Sequence, residues 1–366
     1  MGPARYHRGV PRRAPLRRRL VGDLRAALAR AAVPPRCPVA VAWSGGPDSG
    51  AVLGGAWLLA RDRGAPPVAL HVDHGLRPDS GAEAAVVARF AARRALPVRV
   101  ERIDLVPGPN LAARARAARY AALARMARRS GAAAVLLGHT ATDRAESLLM
   151  GALRSGGVAG LGAMAPVFEV DGVPFVRPLL AWTRSETAAA AASFAREMGL
   201  PIVEDPTNED RRHLRAALRA EVLPVLRRFR PAADRALARA AEMAGDAAEA
   251  VAVWAGREIE RRRTKPDGGL SVAGWRELPR AVRAEILLGF LGARGRAPGA
   301  FEPTPAPRRH GSVGPTIRAI DRAVLRGRTG ARFSVFGGRT VCLVGAGGAL
   351  RLEWGPGGGA GPCPNH

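Results

Sequence analysis

The chain has 366 residues, 47% of them hydrophobic, and a formal net charge of +26 carried almost wholly by arginine, since Lys265 is its only lysine. That length predicts two domains rather than one, and the lack of any uncharged apolar run of about 18 residues predicts no membrane-spanning helix and no membrane partner. So large a positive excess favours an acidic polymer such as nucleic acid, while Cys37, Cys342 and Cys363, in neither C-x-x-C nor metal-ligand spacing, fit a reducing cytoplasm and no structural disulfide.

Residues 1–19 hold seven arginines, no acid and no apolar stretch of the kind a secretory signal needs, so they read as a disordered basic arm. Apolar residues then recur at helical spacing over 17–32, until Pro34 and Pro35 stop the segment. The next stretch, VAVAWSGGPDS over 39–49, is an apolar strand, a Gly-Gly turn and a helix start, and that helix is expected to run from Asp48 to about residue 61. Residues 67–72 and 97–103 are further strands, with a helix expected over 80–95 between them. A helix over 110–129 precedes a fourth strand over 132–139, whose apolar character implies burial on both faces. This alternation predicts an α/β fold, a doubly wound parallel sheet with right-handed crossovers and ligands at the carboxyl ends of its strands.

Gly172 marks a hairpin turn, Thr183 and Glu186 stand at capping-box spacing, and Gly199 ends the helix that they open. A loop over 204–210 leads into an arginine-laden helix over 211–228. Beyond Pro231 a long helical run to about 263, the segment WRELPRAVRAEILLGFL, a Pro-rich link over 296–307 and three short runs (ARFSVF, RTVCLV, ALRLEW) predict a second, smaller, mainly helical domain ending in strands. The expected organisation is therefore a basic arm (1–19), a catalytic domain (20–230), a second domain (231–354) and a mobile tail (355–366).

The Gly-Gly turn is suited to phosphate. Backbone N–H groups freed at Gly45 and Gly46 can form a nest, and the start of the next helix adds positive potential, although a plain tight turn would need no more than the glycines. Ser44, Pro47, Asp48 and Ser49 complete the loop, with hydroxyls for phosphate oxygens and, at Asp48, a carboxylate for magnesium. A G-x-x-x-x-G-K-[ST] loop is excluded by the lack of a lysine there. In HVDHGLR, His71 and His74 would point to opposite faces of a strand, whereas Arg77 stands at the strand end, facing either a ligand or a surface ion pair. In GHTATDRAES, Thr142 can cap the helix. Asp143 and Glu146, three residues apart, share a face; together they suit a positively charged amine, the alternative being ordinary acids in a helix's first turn. Arg114, Arg116 and Arg119 on one helix, and Arg211, Arg212, Arg215 and Arg219 on another, flank the expected crevice. They could follow a phosphate backbone or simply be solvated.

The string SGGPDS resembles the pyrophosphate loop of N-type ATP pyrophosphatases. With HVDHGLR, NLAARARAARY, GHTATDRAESLLMGALRSGGVAGLGAM and EDPTNEDRRHLRAALRAEVLPVL in that order, the chain resembles the tRNA(Ile)-lysidine synthases over most of 39–226. The resemblance implies that ATP adenylates the wobble cytidine of a tRNA(Ile) with a CAU anticodon, and that free lysine then displaces AMP to form lysidine. By position it implies that Ser44 to Ser49 hold the pyrophosphate of ATP, that Asp143 and Glu146 receive lysine, and that His139, Arg116 and Arg215 lie near the reacting groups. Arg77, Arg119, Arg211, Arg212 and Arg219 are expected on tRNA. The chain departs from the family pattern at Ala112, Arg144, Ser147 and Ala216, and the further C-terminal domain of longer members is expected to be absent. A homodimer is left open as its assembly. Lysine is mostly protonated near neutrality, so a carboxylate must both hold the ammonium and let a proton leave; Asp143 is the first candidate and Glu146 the second.

Overall fold

The computed structural model describes residues 14–73, 89–90, 92–94, 96–106, 108–154, 157–162, 164–202, 214–264, 268–292, 313–335, 339–346 and 349–355. The chain divides into two compact units, Met1–Gly245 and Asp246–His366. Among the described residues no helix is long and apolar enough to cross a membrane. Most of the helix expected over 80–95, the loop 204–210, the link 296–307 and most of the two terminal segments lie outside the described residues; the described end of the arm expected to be disordered is instead helical, since Ala14 to Arg19 begin the helix Ala14–Arg30.

The strands of the first unit are β1 (Ala40–Ala42), β2 (Val68–Asp73), β3 (Val98–Arg102), β4 (Val135–Leu136), β5 (Val167–Val170) and β6 (Val173–Val176). Its longer helices include α1 (Ala14–Arg30), α2 (Pro47–Leu58), α3 (Leu111–Arg129), α4 (Ala141–Leu153) and α5 (Arg184–Met198). The six strands form one sheet in the order β3-β2-β1-β4-β6-β5, parallel throughout except for the β5–β6 hairpin. Asp171 (φ 49°) and Gly172 (φ 77°) both sit in the left-handed region between those two strands, the geometry that a two-residue hairpin requires.

Both faces of the sheet are covered, as the continuous apolar strands imply. Val41, Ala69, Leu136 and Val176 join a core with α1, α2 and α5, while their neighbours Ala40, Val68, Val135 and Phe175 join a second core with α3. Successive residues therefore point to opposite layers, the period-two rule of an extended strand. In the second layer Tyr120 meets Phe168 and Phe175 edge-on, at centroid distances of 5.4 and 5.5 Å. β4 is shorter than the sequence predicts. Its extended backbone continues on either side through Ala133 N–H to Pro38 O (2.9 Å) and Leu137 N–H to Val176 O (2.9 Å).

Because β1 has β2 on one side and β4 on the other, the connections leaving those strands diverge at the carboxyl end of β1. That is the switch point at which an open parallel sheet offers a crevice. The Gly-Gly loop leaves β1 there, and Gly138 and His139 leave β4 beside it.

Residues 214–229 are helical, as expected, but Leu218–Val222 form a π-helical turn between the α-helical segments Leu214–Ala217 and Leu223–Phe229. Helix α6 (Ala233–Arg262) follows, and the boundary between the two units falls inside it.

The second unit holds strands β7 (Leu270–Ser271), β8 (Arg332–Ser334), β9 (Thr340–Ala346) and β10 (Ala349–Trp354), antiparallel in the order β7-β10-β9-β8, with helices α7 (Arg280–Phe290) and α8 (Val313–Leu325). Trp275, Ile286, Leu287, Ile320, Leu343 and Leu352 centre its core, and Asp321 accepts from both Trp275 Nε1 and Arg283 Nε at 2.8 Å. Neither β7 nor α8 was expected. Gly314 and Pro315 stand in the first turn of α8, where proline is tolerated because a helix start has no N–H partners to lose. The expectation of no disulfide is also corrected. Cys37 is a free thiol but Cys342 is disulfide-bonded, a pairing that close-spacing rules do not reveal.

Helices α2 and α5 approach closely because Gly54 faces the ring of Phe194, where a Cβ would overlap the ring carbons. Gly54→Ala is expected to destabilise the first unit by about 1–3 kcal/mol, the usual cost of overpacking, measured as a lowered midpoint in thermal or urea unfolding.

Candidate active site

The loop after β1 keeps its turn through Gly45, whose φ of 89° lies where side chains other than glycine are strained. Gly46 is the N-cap of α2 without a side chain to cap it, and Pro47 occupies the first turn, where its missing N–H costs nothing. The first-turn donors of α2 are therefore left without a side-chain cap, the condition under which a helix start receives an anion. Ser49 Oγ donates to Gly46 O (3.0 Å) and lies 3.2 Å from Ser44 Oγ, while Ser44 N–H reaches the same hydroxyl at 3.3 Å. The loop is thus closed on itself by two serines. Asp48 accepts a hydrogen bond from Thr187 on α5, and its other oxygen lies 3.8 Å from Arg184 Nη1. Burial raises the Asp48 carboxyl above its ordinary value, against the lowering effects of Arg184 and Thr187.

The chain leaving β4 lies against this loop. A Cβ on Gly138 would stand 2.8 Å from both the carbonyl carbon of Asp48 and the nitrogen of Ser49, so only glycine lets the two backbones approach this far. Helix α4 then starts with a capping box. Thr140, not Thr142, is its N-cap: Asp143 N–H donates to Thr140 Oγ1, and Asp143 Oδ2 accepts from Thr140 N–H (2.8 Å) and Oγ1 (2.7 Å). Thr142 instead donates to Asp234 on α6 (3.0 Å), which Arg227 also grips with two nitrogens.

Asp143 and Glu146 are buried side by side, and three arginines neutralise them. Asp143 Oδ1 accepts from Arg184 Nη2 at 2.9 Å and from Arg215 Nη2 at 3.3 Å, with Arg219 Nη2 at 4.0 Å. Glu146, with no exposed surface, accepts from Arg215 Nε at 2.7 Å and from Arg219 Nε at 2.7 Å and Nη2 at 3.1 Å. Burial alone would push the Asp143 carboxyl up, but Arg184, Arg215, His139 and the Thr140 hydroxyl together hold it well below the usual carboxylate range.

His139 is only partly exposed, and its Nδ1 accepts from Arg177 Nε at 3.1 Å, so any proton on the neutral ring sits on Nε2. Desolvation and then Arg177 push its pKa well below the ordinary value, with Arg116 and Arg119 adding to the effect and Asp143 opposing it. Arg116 and Arg119 lie over the Tyr120 ring at 4.9 and 5.3 Å. Arg177, anchored on Ala165 O (2.6 Å), is stacked at 4.1 Å over Phe168.

The structure therefore brings the loop Ser44 to Ser49, His139, Asp143, Glu146 and Arg215 into one cluster. Arg219, expected to face tRNA, turns its guanidinium onto Glu146, while Arg77, Arg211 and Arg212 lie outside the described residues. Arg184, Thr187 and Arg177 were missed. A signal existed for the first: an arginine at the first position of a helix opposes the macrodipole, which is unfavourable unless carboxylates compensate. The departure at Arg144 has a local explanation. Its buried guanidinium reaches Met164 O (3.3 Å) and Glu242 (3.5 Å), so the extra charge is absorbed inside the unit. Among the described residues no three His, Cys, Asp or Glu side chains are grouped to hold a metal.

A family model described as a PP-loop domain matches residues 24–226, more than half of the chain. The tRNA(Ile)-lysidine synthase of Bordetella bronchiseptica is 38% identical over 272 residues, covering 74% of this chain and 79% of that protein. The enzyme of the same name from Salinispora tropica is 40% identical over 268 residues, covering 72% and 79% respectively. That from Thermus thermophilus is 38% identical over 276 residues, but only 51% of its own length is covered. Among solved structures, a U34-tRNA thiolase, NcsA from Methanococcus maripaludis with its [4Fe-4S] cluster, matches 64% of this chain and 80% of its own at a TM-score of 0.51 and 17% identity, a likeness of fold.

Two expectations follow from the geometry. Gly138→Ala should leave the unit folded but push the Asp48 backbone aside, weakening a non-hydrolysable ATP analogue by about tenfold or more in calorimetric titration. The depressed carboxyl of Asp143 contributes stability that is present above its unfolded value of about 4 and is lost as pH falls through and below that range. Asp143→Asn should therefore be less stable than the parent in urea at pH 7, with the gap narrowing on acidification towards pH 3.

Proposed function

The chain belongs to the tRNA(Ile)-lysidine synthase family, and from that premise we propose that it joins free lysine to C2 of the wobble cytidine of a tRNA(Ile) with a CAU anticodon, using ATP. The observation that carries this reading is the single cluster in which Gly138 packs on Asp48 while Arg184 reaches both Asp48 and Asp143. A nucleotide loop and an amine-binding pair of acids have to be neighbours if one protein is to activate a base and then hand it to an amine.

In the first half-reaction the cytidine O2 attacks the α-phosphorus of ATP, and pyrophosphate departs into the nest formed by Ser44, Gly45, Gly46, Pro47, Asp48 and Ser49. The C2 oxygen, a poor leaving group, becomes part of a good one. Arginines around the loop offset the charge that develops. Asp48 is the residue we assign to magnesium. A single carboxylate beside two hydroxyls and substrate phosphates is an ordinary oxygen set for that ion, which when bound supplies charge neutralisation for the departing pyrophosphate.

In the second half-reaction the lysine side-chain amine attacks C2, and AMP leaves. Asp143 and Glu146 hold the ammonium and aim it. With arginines on it, Asp143 is a poor proton acceptor, so loss of the amine's proton to this carboxylate depends on those guanidiniums moving off first. His139, neutral and with its free nitrogen protonated, can donate to an oxygen of the reacting centre, and Arg116 and Arg215 are assigned to the charge that develops there. Arg77, Arg119, Arg211 and Arg212 are assigned to the tRNA backbone. The segment 20–230 is the catalytic domain in this reading, and 231–354 a second tRNA-binding module. ATP, free lysine and tRNA meet in the cytoplasm, where we assign the reaction.

Incubation with ATP, isotopically labelled lysine and a CAU-anticodon tRNA(Ile) transcript, followed by nucleoside mass analysis, tests the proposal. Labelled lysidine, together with AMP and pyrophosphate, is the expected product, and Asp143→Asn should reduce its formation by at least about 100-fold. Affinity for the transcript should fall steeply as salt rises, because several arginine–phosphate contacts release counterions; a flat profile would contradict backbone binding.

A further inference from the structure

The lysine-binding role proposed for Asp143 and Glu146 raises a question of charge. Oδ2 of Asp143 is committed to the capping box that starts α4, so only Oδ1 is left to meet a ligand, and its two lone pairs are already taken by Arg184 Nη2 at 2.9 Å and Arg215 Nη2 at 3.3 Å. An ammonium group can take that oxygen once one of the two guanidiniums leaves, and Arg184 is the one with somewhere else to go. Arg184 is not an ordinary surface partner. It opens α5, where the helix dipole opposes a cation, and its Nε is buried without a hydrogen-bond partner. Its other terminal nitrogen points to Asp48 in the Gly-Gly loop, 3.8 Å away. The side chain thus stands between the two ligand sites with an unfavourable helix position and one donor unused, and more than a third of it remains exposed.

We infer that Arg184 couples the two sites by exchanging partners. Without nucleotide it blocks Asp143; when ATP phosphates enter the loop beside Asp48 it turns onto them and releases Oδ1 for the lysine ammonium. Arginine grips phosphate oxygens with two parallel donors and a higher opposing charge than a single carboxylate offers, so the exchange is favourable. Its consequence is ordered addition: ATP raises the affinity for lysine, and by linkage lysine raises the affinity for ATP by the same factor. Arg215 and Arg219 do not have this role, because their Nε groups are held by Glu146 and neither has an ion pair with Asp48 among the described residues. Arg184 is in this sense a positioning residue, acting through Asp143 rather than on the reacting atoms.

This inference rests on the proposed function, and the test separates the two. Lysine binding to the full chain is measured by calorimetry with and without saturating α,β-methylene-ATP, for the parent, Arg184→Met and Arg184→Lys. The parent is expected to bind lysine about tenfold or more tightly when the analogue is present, within the usual range of coupled sites. In Arg184→Met lysine should bind without nucleotide about as tightly as the parent does with it, and the coupling factor should fall towards one; Arg184→Lys should restore part of the coupling. Equal coupling in parent and Arg184→Met overturns the inference, as does a variant that binds lysine more weakly under both conditions, which would make Arg184 merely structural. Lysine binding that is indifferent to Asp143→Asn would instead overturn the lysine site itself.

Discussion

The compensation of two buried carboxylates by arginine is the constraint on which the rest of the first unit depends. Asp143 and Glu146 lie one helical turn apart and out of solvent, an arrangement that is costly unless cations and hydrogen bonds satisfy every oxygen. Thr140 takes one oxygen of Asp143, and Arg184, Arg215 and Arg219 take the others. Those arginines come from two separate segments, the first residue of α5 and the helical stretch 214–229. The π turn at Leu218–Val222, which contains Arg219, lies in that second segment, and such a widened turn is a common accompaniment of functional sites. Two chain segments distant in sequence are thereby tied to α4 by charge.

The sheet supplies the rigid side of this arrangement. Its central strands are buried on both faces, so the carboxyl ends of β1 and β4 are held in register, and the loops that leave them can be short. Close approach does the rest: Gly138 lets the start of α4 lie on the backbone of the loop, and Gly54 lets α5 come near enough to α2 for Thr187 to reach Asp48. The same residues that make the packing tight therefore also set the distance between an anion site and a pair of acids.

Much of this was legible in the sequence because it is written in local chemistry. The Gly-Gly turn, the capping box at Thr183 and Glu186, the Gly199 terminus and the hairpin at Asp171 and Gly172 are all positions where backbone geometry restricts residue type, and all are found as read. The parallel sheet follows from apolar runs alternating with helices. What was not legible depends on tertiary neighbours. Thr142 and Thr140 are equally good caps on paper, and only the turn after β4 decides between them. Arg184 looks like one more solvated arginine in a chain rich in them until Asp48 and Asp143 are seen on either side of it. Helix α8 was hidden by its own Gly314 and Pro315, and the disulfide of Cys342 has no short spacing to announce it. The extra charge at Arg144, a departure from the family pattern, is met by Met164 and Glu242, neighbours in the fold rather than in the sequence.

The central claim is that nucleotide phosphates and the ammonium of an amino acid occupy one chamber, separated by Arg184. A crystal structure with α,β-methylene-ATP and lysine bound together tests it most directly. The account predicts phosphate oxygens at the Gly45–Gly46 nest, the lysine Nζ within hydrogen-bonding distance of Asp143 Oδ1 and Glu146, and the Arg184 guanidinium on phosphate. Lysine seated away from the acid pair, or an analogue whose phosphates avoid the loop, would contradict it.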